Sequence, residues 1–552
     1  LNMIFASLLL SAFSLGYVSP VNYELSLAGN FGEPRPNHFH GGIDVRTGGV
    51  EGKPVFSIAE GYVSRITVGL AGFGNALYVT HPDGRTSVYC HLKSFSPRIK
   101  RLLMKWQYMH QSYVADVRLR PDDCPVSRGM FIAVSGNTGA SLAPHIHLEL
   151  HDTKTWNMLD PLDFLGHCIK DNMAPTAHGF MAYPQNGKGV FNGGSSKQTF
   201  GFTSHHLSRK FTAWGKVGFG IWADDYMENA YNRYGIRRTL LTVDGKVVFE
   251  STVDNIPVQK NMMVNSWGDY EHFYHTGVWY MKSFSEPGNT LQILRTDENR
   301  GLVDFNEERD YHIKYTLSDI KGNTSEYTFT VTGEKHDYPA MKQSYAGGVL
   351  MRWNRINVYS VPGMQLVVPQ GLLPDDVYIR PRMKQYPDRL SSSYSFYAGS
   401  MPLKKWGEIS IFLKGRVANP DKLYIVSRFD KERFMGGTYH DGWVTAHIRE
   451  LGASYEIDYD DSPPVINEVG RDSWDRTKVI RLGIYDSKSG IKSYKGFVDG
   501  EFVLFEPISK SNMVMCRLDD TPVRKTGAMR KLKFIVTDNR DNTSSFETYI
   551  EY

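Results

Sequence analysis

The sequence predicts a mainly β protein. A small antiparallel β domain with one inserted helix comes first, followed by about three β-sandwich domains of the Ig-like kind. Three observations predict it. Short runs rich in Val, Ile, Thr and Tyr alternate apolar with polar residues, the period of a strand with one packed face. Aromatic residues make up 13% of the chain, with 32 Tyr, a composition that suits strands. At 552 residues the chain is too long for a single core, and three or four domains are expected.

The elements follow in order. The first twenty residues carry no charge, and Met3 to Leu15 is an apolar stretch too short to span a bilayer. With Ser11, Ala12, Ser14 and Gly16 near its end it reads as a secretory signal peptide over 1–17. The basic segment that usually precedes such a stretch is missing and the chain begins with Leu, so the true start is expected upstream. The corresponding expectation is an exported protein, either of the periplasm or cell envelope or secreted outright. No later segment approaches eighteen apolar residues, so no membrane span is expected in the mature chain.

Residues 18–170 read as short strands broken by glycine-rich turns. ALYVTHPDGRTSVYCHL (76–92) is a hairpin about Pro82-Asp83-Gly84. One segment departs from this pattern. Over 97–119, Ile99, Leu102, Leu103, Trp106 and Met109 have helical spacing. That predicts an inserted helix and a return strand ending at Pro121-Asp122-Asp123.

A repeat appears beyond residue 170. DNMAPT (171–176) matches DDSPPV (460–465), and FGIWAD (219–224) matches LGIYD (482–486). VDGKVVFE (243–250) matches VDGEFVLFE (498–506), and YTLSDIKGNTS (315–325) matches FIVTDNRDNTS (534–544). Four landmarks in one order predict two related sandwiches, 171–335 and 456–552, with a third β domain at 336–455 between them. No dense His, Cys or carboxylate cluster is read in these domains, so carriage, spacing or binding is expected of them rather than chemistry.

A net charge of +4 with no clustered Lys/Arg run gives no reason to expect nucleic acid. The four cysteines, Cys90, Cys124, Cys168 and Cys516, lack CxxC spacing. That excludes a zinc ribbon or a disulfide scaffold, and buried free thiols are the expectation.

The chemistry is concentrated in two segments. In HFHGGID (38–44), His40 and Asp44 are four apart. That spacing shares a face on a helix or, being even, on an extended chain. Gly41 and Gly42 each disfavour a helix by about 1 kcal/mol, so a strand-like loop that brings the backbone close to a neighbour is open as well. In APHIHLELHD (143–152), strand alternation puts His145 and His147 on one side, about 7 Å apart, which suits two different roles. With 18 His in the chain, about 0.6 such pairs arise by chance, so a lone HxH means little. HxGxD, YxHL (89–92) and PHIHLE within one short stretch mean more. Glu149 and His151 continue the polar side, expected at its solvated end, while alternation turns Cys90 away from His91. His81 reads as structural.

HGGID, EGKPVFSIAEGYVSRI, FGNALYVTHPDGRTSVYCHL, RGMFIAVSGNTG and APHIHLEL, in this order, resemble the lysostaphin/LytM-type zinc endopeptidases that cut peptidoglycan peptides. The likeness covers about residues 30–165. It implies the duplicated hybrid motif fold, Zn²⁺ held by His40, Asp44 and His147, and a catalytic pair of His91 and His145. It also implies a peptidoglycan peptide as substrate. For the C-terminal β domains three roles stay open, namely binding wall, tethering an envelope protein partner or positioning the head, and the sequence does not choose among them. Two imidazoles and a carboxylate leave such an ion net positive charge and an open position for water. A nearby histidine suits proton transfer, although the sequence does not say which of the two is the base. The competing reading is a non-catalytic envelope protein of the same fold that binds peptidoglycan or activates another hydrolase; retention of all five residues argues against it. The sequence departs from the family's short form between His91-Leu92 and Arg128, where over thirty residues, including the predicted helix, replace a brief link.

Overall fold

The computed structural model describes residues 16–228, 230–338 and 348–552. The apolar leader, Met3 to Leu15, lies outside the described residues. The architecture is mainly β, with one long inserted helix and β-rich domains after it, as the sequence predicts.

The N-terminal domain is built on one antiparallel sheet. Its strands are β1 (Leu27–Gly29), β2 (Gly42–Arg46), β3 (Gly61–Val68), β4 (Ala76–Thr80), β5 (Arg85–Cys90), β6 (Ala115–Arg118) and β7 (His145–Asp152). They lie side by side in the order β1-β2-β7-β5-β4-β3-β6. β7 therefore sits between β2 and β5, with His147 opposite Asp44 on one side and Cys90 on the other. The period of two sorts its side chains: Ile146, Leu148 and Leu150 enter the core with Ile43, Val45 and Tyr89, all fully buried. The histidines take the opposite face.

The inserted helix, α1 (Pro97–His110), begins on a proline whose fixed φ suits the first turn. It ends at Gln111 in the left-handed region (φ 48°). Ile99 and Leu103 bury against the sheet, but Met109, part of the predicted apolar stripe, is 68% exposed. The return strand is β6, paired antiparallel with β3. The far side of α1 meets the last domain, where Tyr108 packs edge-on to Phe502 at 5.5 Å between ring centres.

Apart from Asn255–Ile256, which pairs with Met158–Leu159 of the N-terminal sheet, the strands of residues 176–333 form one continuous sheet around a phenylalanine-rich core that includes Phe180, Phe211, Phe219 and Phe329. Residues 357–459 form two five-stranded sheets over a common core, and residues 465–551 two four-stranded sheets over another. All four cysteines are free thiols, three of them buried. Among the described residues no helix is long and apolar enough to cross a membrane.

At Gly42 the HFHGGID segment is a strand rather than a helix, and a Cβ at this position would lie 2.1 Å from the carbonyl oxygen of Leu148. Only a residue without a side chain lets β2 approach β7 here. Gly42→Ala is expected to lower unfolding free energy by about 1–3 kcal/mol, measured by urea titration. Gly166→Ala, with open space around its Cβ, is the control that should not change it.

Candidate metal centre

Three atoms converge on the polar face of β2 and β7. His40 Nε2 lies 3.0 Å from Asp44 Oδ1 and 3.0 Å from His147 Nδ1, and His147 Nδ1 lies 2.9 Å from Asp44 Oδ1. All three residues are buried. The neighbours fix what these atoms carry. His40 Nδ1 is 2.6 Å from the carbonyl of Asn30, which can only accept, so its hydrogen sits on Nδ1 and Nε2 presents a lone pair. His147 Nε2 donates to Glu149 Oε1 at 3.0 Å, so in the neutral ring Nδ1 presents a lone pair too. The other Asp44 oxygen, Oδ2, accepts from Arg35 Nη2 at 2.8 Å. Two imidazole lone pairs and a carboxylate oxygen pointing at one spot repel one another unless a proton or a cation lies between them. The donor set fits a divalent metal ion.

Electrostatics says which species competes for that spot. Burial pushes the Asp44 carboxyl up, but His40, His145 and His147 around it outweigh this and hold it well below the usual range. Burial lowers His40 to about 4 despite Asp44 beside it. Burial also lowers His147, yet hydrogen bonds to the carboxylates of Asp44 and Glu149 reverse the sign and bring it to about 9. Without a metal, a proton on His147 holds the cluster together.

His91 and His145 stand beside the triad with their ring centres 4.9 Å apart. His91 Nδ1 is 2.9 Å from the carbonyl of Thr138 and His145 Nδ1 is 2.8 Å from that of Ala143. Both hydrogens are thereby committed to backbone oxygens and both Nε2 atoms are left for chemistry. His145 Nε2 lies 3.3 Å from Asp44 Oδ1. His91 follows the end of β5 in the left-handed region (φ 59°), an uncommon backbone for a residue other than glycine that swings its ring toward the site. Burial, then the nearby His147 and His145, lower His91 to about 4, so it is a neutral proton acceptor at neutral pH. The side chain of His145 is 18% exposed against 2% for His40, so solvent reaches the cluster from the His145 side.

The structure thus brings His40, Asp44, His147, His91 and His145 into one cluster. It corrects one expectation: Glu149 and His151 are not at a solvated end. Glu149 is buried and accepts from His147 and from His151 Nε2, the latter at 2.6 Å, because β7 is flanked by strands on both sides and Trp156 stacks on His151. Those two hydrogen bonds more than offset burial and bring Glu149 down to about 2. Sequence reasoning missed Arg35, Asn30 and Thr138. Two of them act through backbone carbonyls, which carry no residue signature, and Arg35 only through tertiary approach. His81 is structural, bonded to the carbonyl of Glu60 and to Ser87. Cys90 packs with Ala76, Tyr78 and Val88. His38 is exposed and bonds the carbonyl of Pro36.

Residues 38–161 match Peptidase family M23, and residues 348–460 match the Zu5-like domain. An uncharacterized metalloprotease of Haemophilus influenzae is 31% identical over 112 residues, 20% of this chain and 18% of that protein. The match spans under a fifth of that relative's length. Among solved structures, the catalytic domain of lysostaphin from Staphylococcus simulans is similar at 24% identity, covering 26% of this chain and 93% of that one with a TM-score of 0.20. The catalytic domain of the prophage-encoded M23 protein EnpA from Enterococcus faecalis is similar at 19% identity, covering 26% and 95% with a TM-score of 0.20.

Because His147 holds a proton up to about pH 9, a metal ion must displace it. Apparent metal affinity is expected to rise up to about tenfold per pH unit from about pH 6 to about pH 8. His40, at about 4, adds no proton release in that window. Competition against a chromophoric chelator measures this, and an affinity independent of pH would contradict the assignment.

Proposed function

We propose, on the premise that the N-terminal domain belongs to the lysostaphin/LytM type of peptidase family M23, that this protein is an exported zinc endopeptidase. Its substrates are peptide bonds in peptidoglycan stems or cross-links. The observation that carries the reading is the convergence of His40 Nε2, Asp44 Oδ1 and His147 Nδ1 within 2.9–3.0 Å of one another. Donors about 2.0–2.1 Å from a tetrahedral zinc ion lie roughly 3.3 Å apart, so His40, Asp44 and His147 need only small shifts to hold one. When bound, zinc supplies Lewis acidity toward a water and a carbonyl oxygen.

The chain's own residues supply the rest. Arg35 and Glu149 orient two of the ligands from behind and fix the lone pairs they present. His91 Nε2, neutral at physiological pH, accepts the proton of an attacking water. His145, its ring held by the Ala143 carbonyl, stabilises developing negative charge or returns a proton to the departing amine. Phe73, partly exposed and stacked near His147, offers an apolar wall for a peptide. The three C-terminal domains bind wall or an envelope partner and set the head's position. Against the non-catalytic alternative stands the retention of all five side chains in one cluster.

Hydrolysis of purified sacculi tests this. Activity should vanish on chelation, return with zinc, and be absent in His147→Ala. His91→Ala should keep its metal and lose about 10²–10⁴-fold in kcat. Full activity in His147→Ala, or metal-loaded protein that cleaves no wall peptide, would overturn the reading.

A further inference from the structure

The sandwich domains carry carboxylate clusters where the sequence led us to expect none. Asp171, Asp225 and Asp319 each bring one carboxylate oxygen to within 4.8 Å of the other two, and so do Asp460, Asp486 and Asp538. The two triads occupy equivalent places in the repeat. The first aspartate opens the DNMAPT or DDSPPV segment, the second directly follows the strand that ends at Asp224 or at Tyr485, and the third precedes Asn-Thr-Ser after three residues.

Local bonding is the same in both. Asn323 Nδ2 donates to Asp319 Oδ2 and to the carbonyl of Asp171; Asn542 Nδ2 donates to Asp538 Oδ2 and to the carbonyl of Asp460. Each third carboxylate is further fixed by two backbone N–H donors through Oδ1. Such loops hold a carboxylate in place but bring no positive charge to it.

What points to a ligand is the unanswered oxygen. Asp225 is 2% exposed and its Oδ1 has no hydrogen-bond partner; Asp171 is 4% exposed and its Oδ2 has none. In the second triad the buried hydroxyl of Ser489 is likewise unpartnered, while its N–H donates to Asp460 Oδ2. Nearby bases are engaged elsewhere: His178 pairs with Asp224, and Lys488 with Asp458. Burial, with repulsion from neighbouring carboxylates, raises Asp171 to about 6 and Asp225 to about 8. Buried carboxylates left without partners are costly unless a cation joins them.

We propose that the two triads are equivalent sites for a hard divalent cation, calcium by their oxygen-only donors, each at the joint between a sandwich domain and the domain before it. Carboxylate oxygens drawn from separate loops suit calcium's irregular coordination; nitrogen and sulfur donors, which would favour zinc, are absent from both triads. The placement gives the cation a mechanical role. Asp171 and Asp460 lie in the connecting segments, and the third-aspartate loops already touch the preceding domains. Lys321 Nζ donates to the carbonyl of Gly166, and Arg540 Nη1 to that of Leu423. A bound ion would tie connector, strand end and loop together and fix each domain's angle to its neighbour.

The test uses the full chain, stripped of metal and reloaded with one equivalent of zinc, titrated with calcium chloride by calorimetry and followed by thermal unfolding. Two calcium ions per chain are expected, with a rise in Tm. Asp225→Asn and Asp486→Asn should each bind one, the double variant none, all with zinc content unchanged. In calcium-free buffer Asp225→Asn should unfold no lower than the parent, because an amide relieves the buried repulsion. If that variant does not fold, Asp171→Asn replaces it. Magnesium should bind at least about tenfold more weakly. No calcium binding at millimolar concentration, a stoichiometry unchanged in the variants, or equal affinity for magnesium would overturn the proposal.

Discussion

The N-terminal domain depends on one constraint: the register that sets Asp44 directly across from His147 on adjacent strands. A slip of one residue would turn every side chain of β7 over, sending the histidines into the core and Ile146 and Leu148 to the site. The register is held from both sides. Gly42 admits the carbonyl of Leu148 at a distance no other residue tolerates, and the apolar face of β7 packs against Ile43 and Val45. Packing on one face thus positions donor atoms on the other.

Around this pair the polar face is organised in layers. Asn30, Arg35 and Glu149 decide which atoms of His40, Asp44 and His147 point inward, and Thr138 and Ala143 do the same for His91 and His145. The turn carrying Thr138 has a second support. Ser509 and Lys510 of the last sandwich donate to the carbonyls of Asn137 and Gly139, on either side of the residue that orients His91. With Tyr108 of α1 against Phe502, the final domain folds back onto the N-terminal domain rather than trailing from it.

Much of this is legible in the residues themselves. Strand alternation places His145 and His147 on one face, and helical spacing finds α1. What escapes such reading has physical causes. Glu149 looks solvated because alternation gives a face but not whether that face is covered, and its role requires knowing that β7 is central. Met109 fits the helical stripe, yet burial of the stripe stops at Ile99 and Leu103 and leaves Met109 exposed. Five of the six triad aspartates stand in the landmark segments and Asp225 just beyond one, but members of a triad lie up to about 150 residues apart, and only the folded domain shows that they meet. Backbone carbonyls that orient histidines have no signature at all.

His40, Asp44 and His147 are proposed to surround one metal ion. X-ray absorption at the zinc edge of the zinc-loaded full chain tests it most directly. One zinc per chain is expected, with a nitrogen and oxygen shell at about 2.0–2.1 Å and the scattering pattern of two imidazoles. A shell containing sulfur, or a zinc environment unaltered when His40 is replaced, would contradict it.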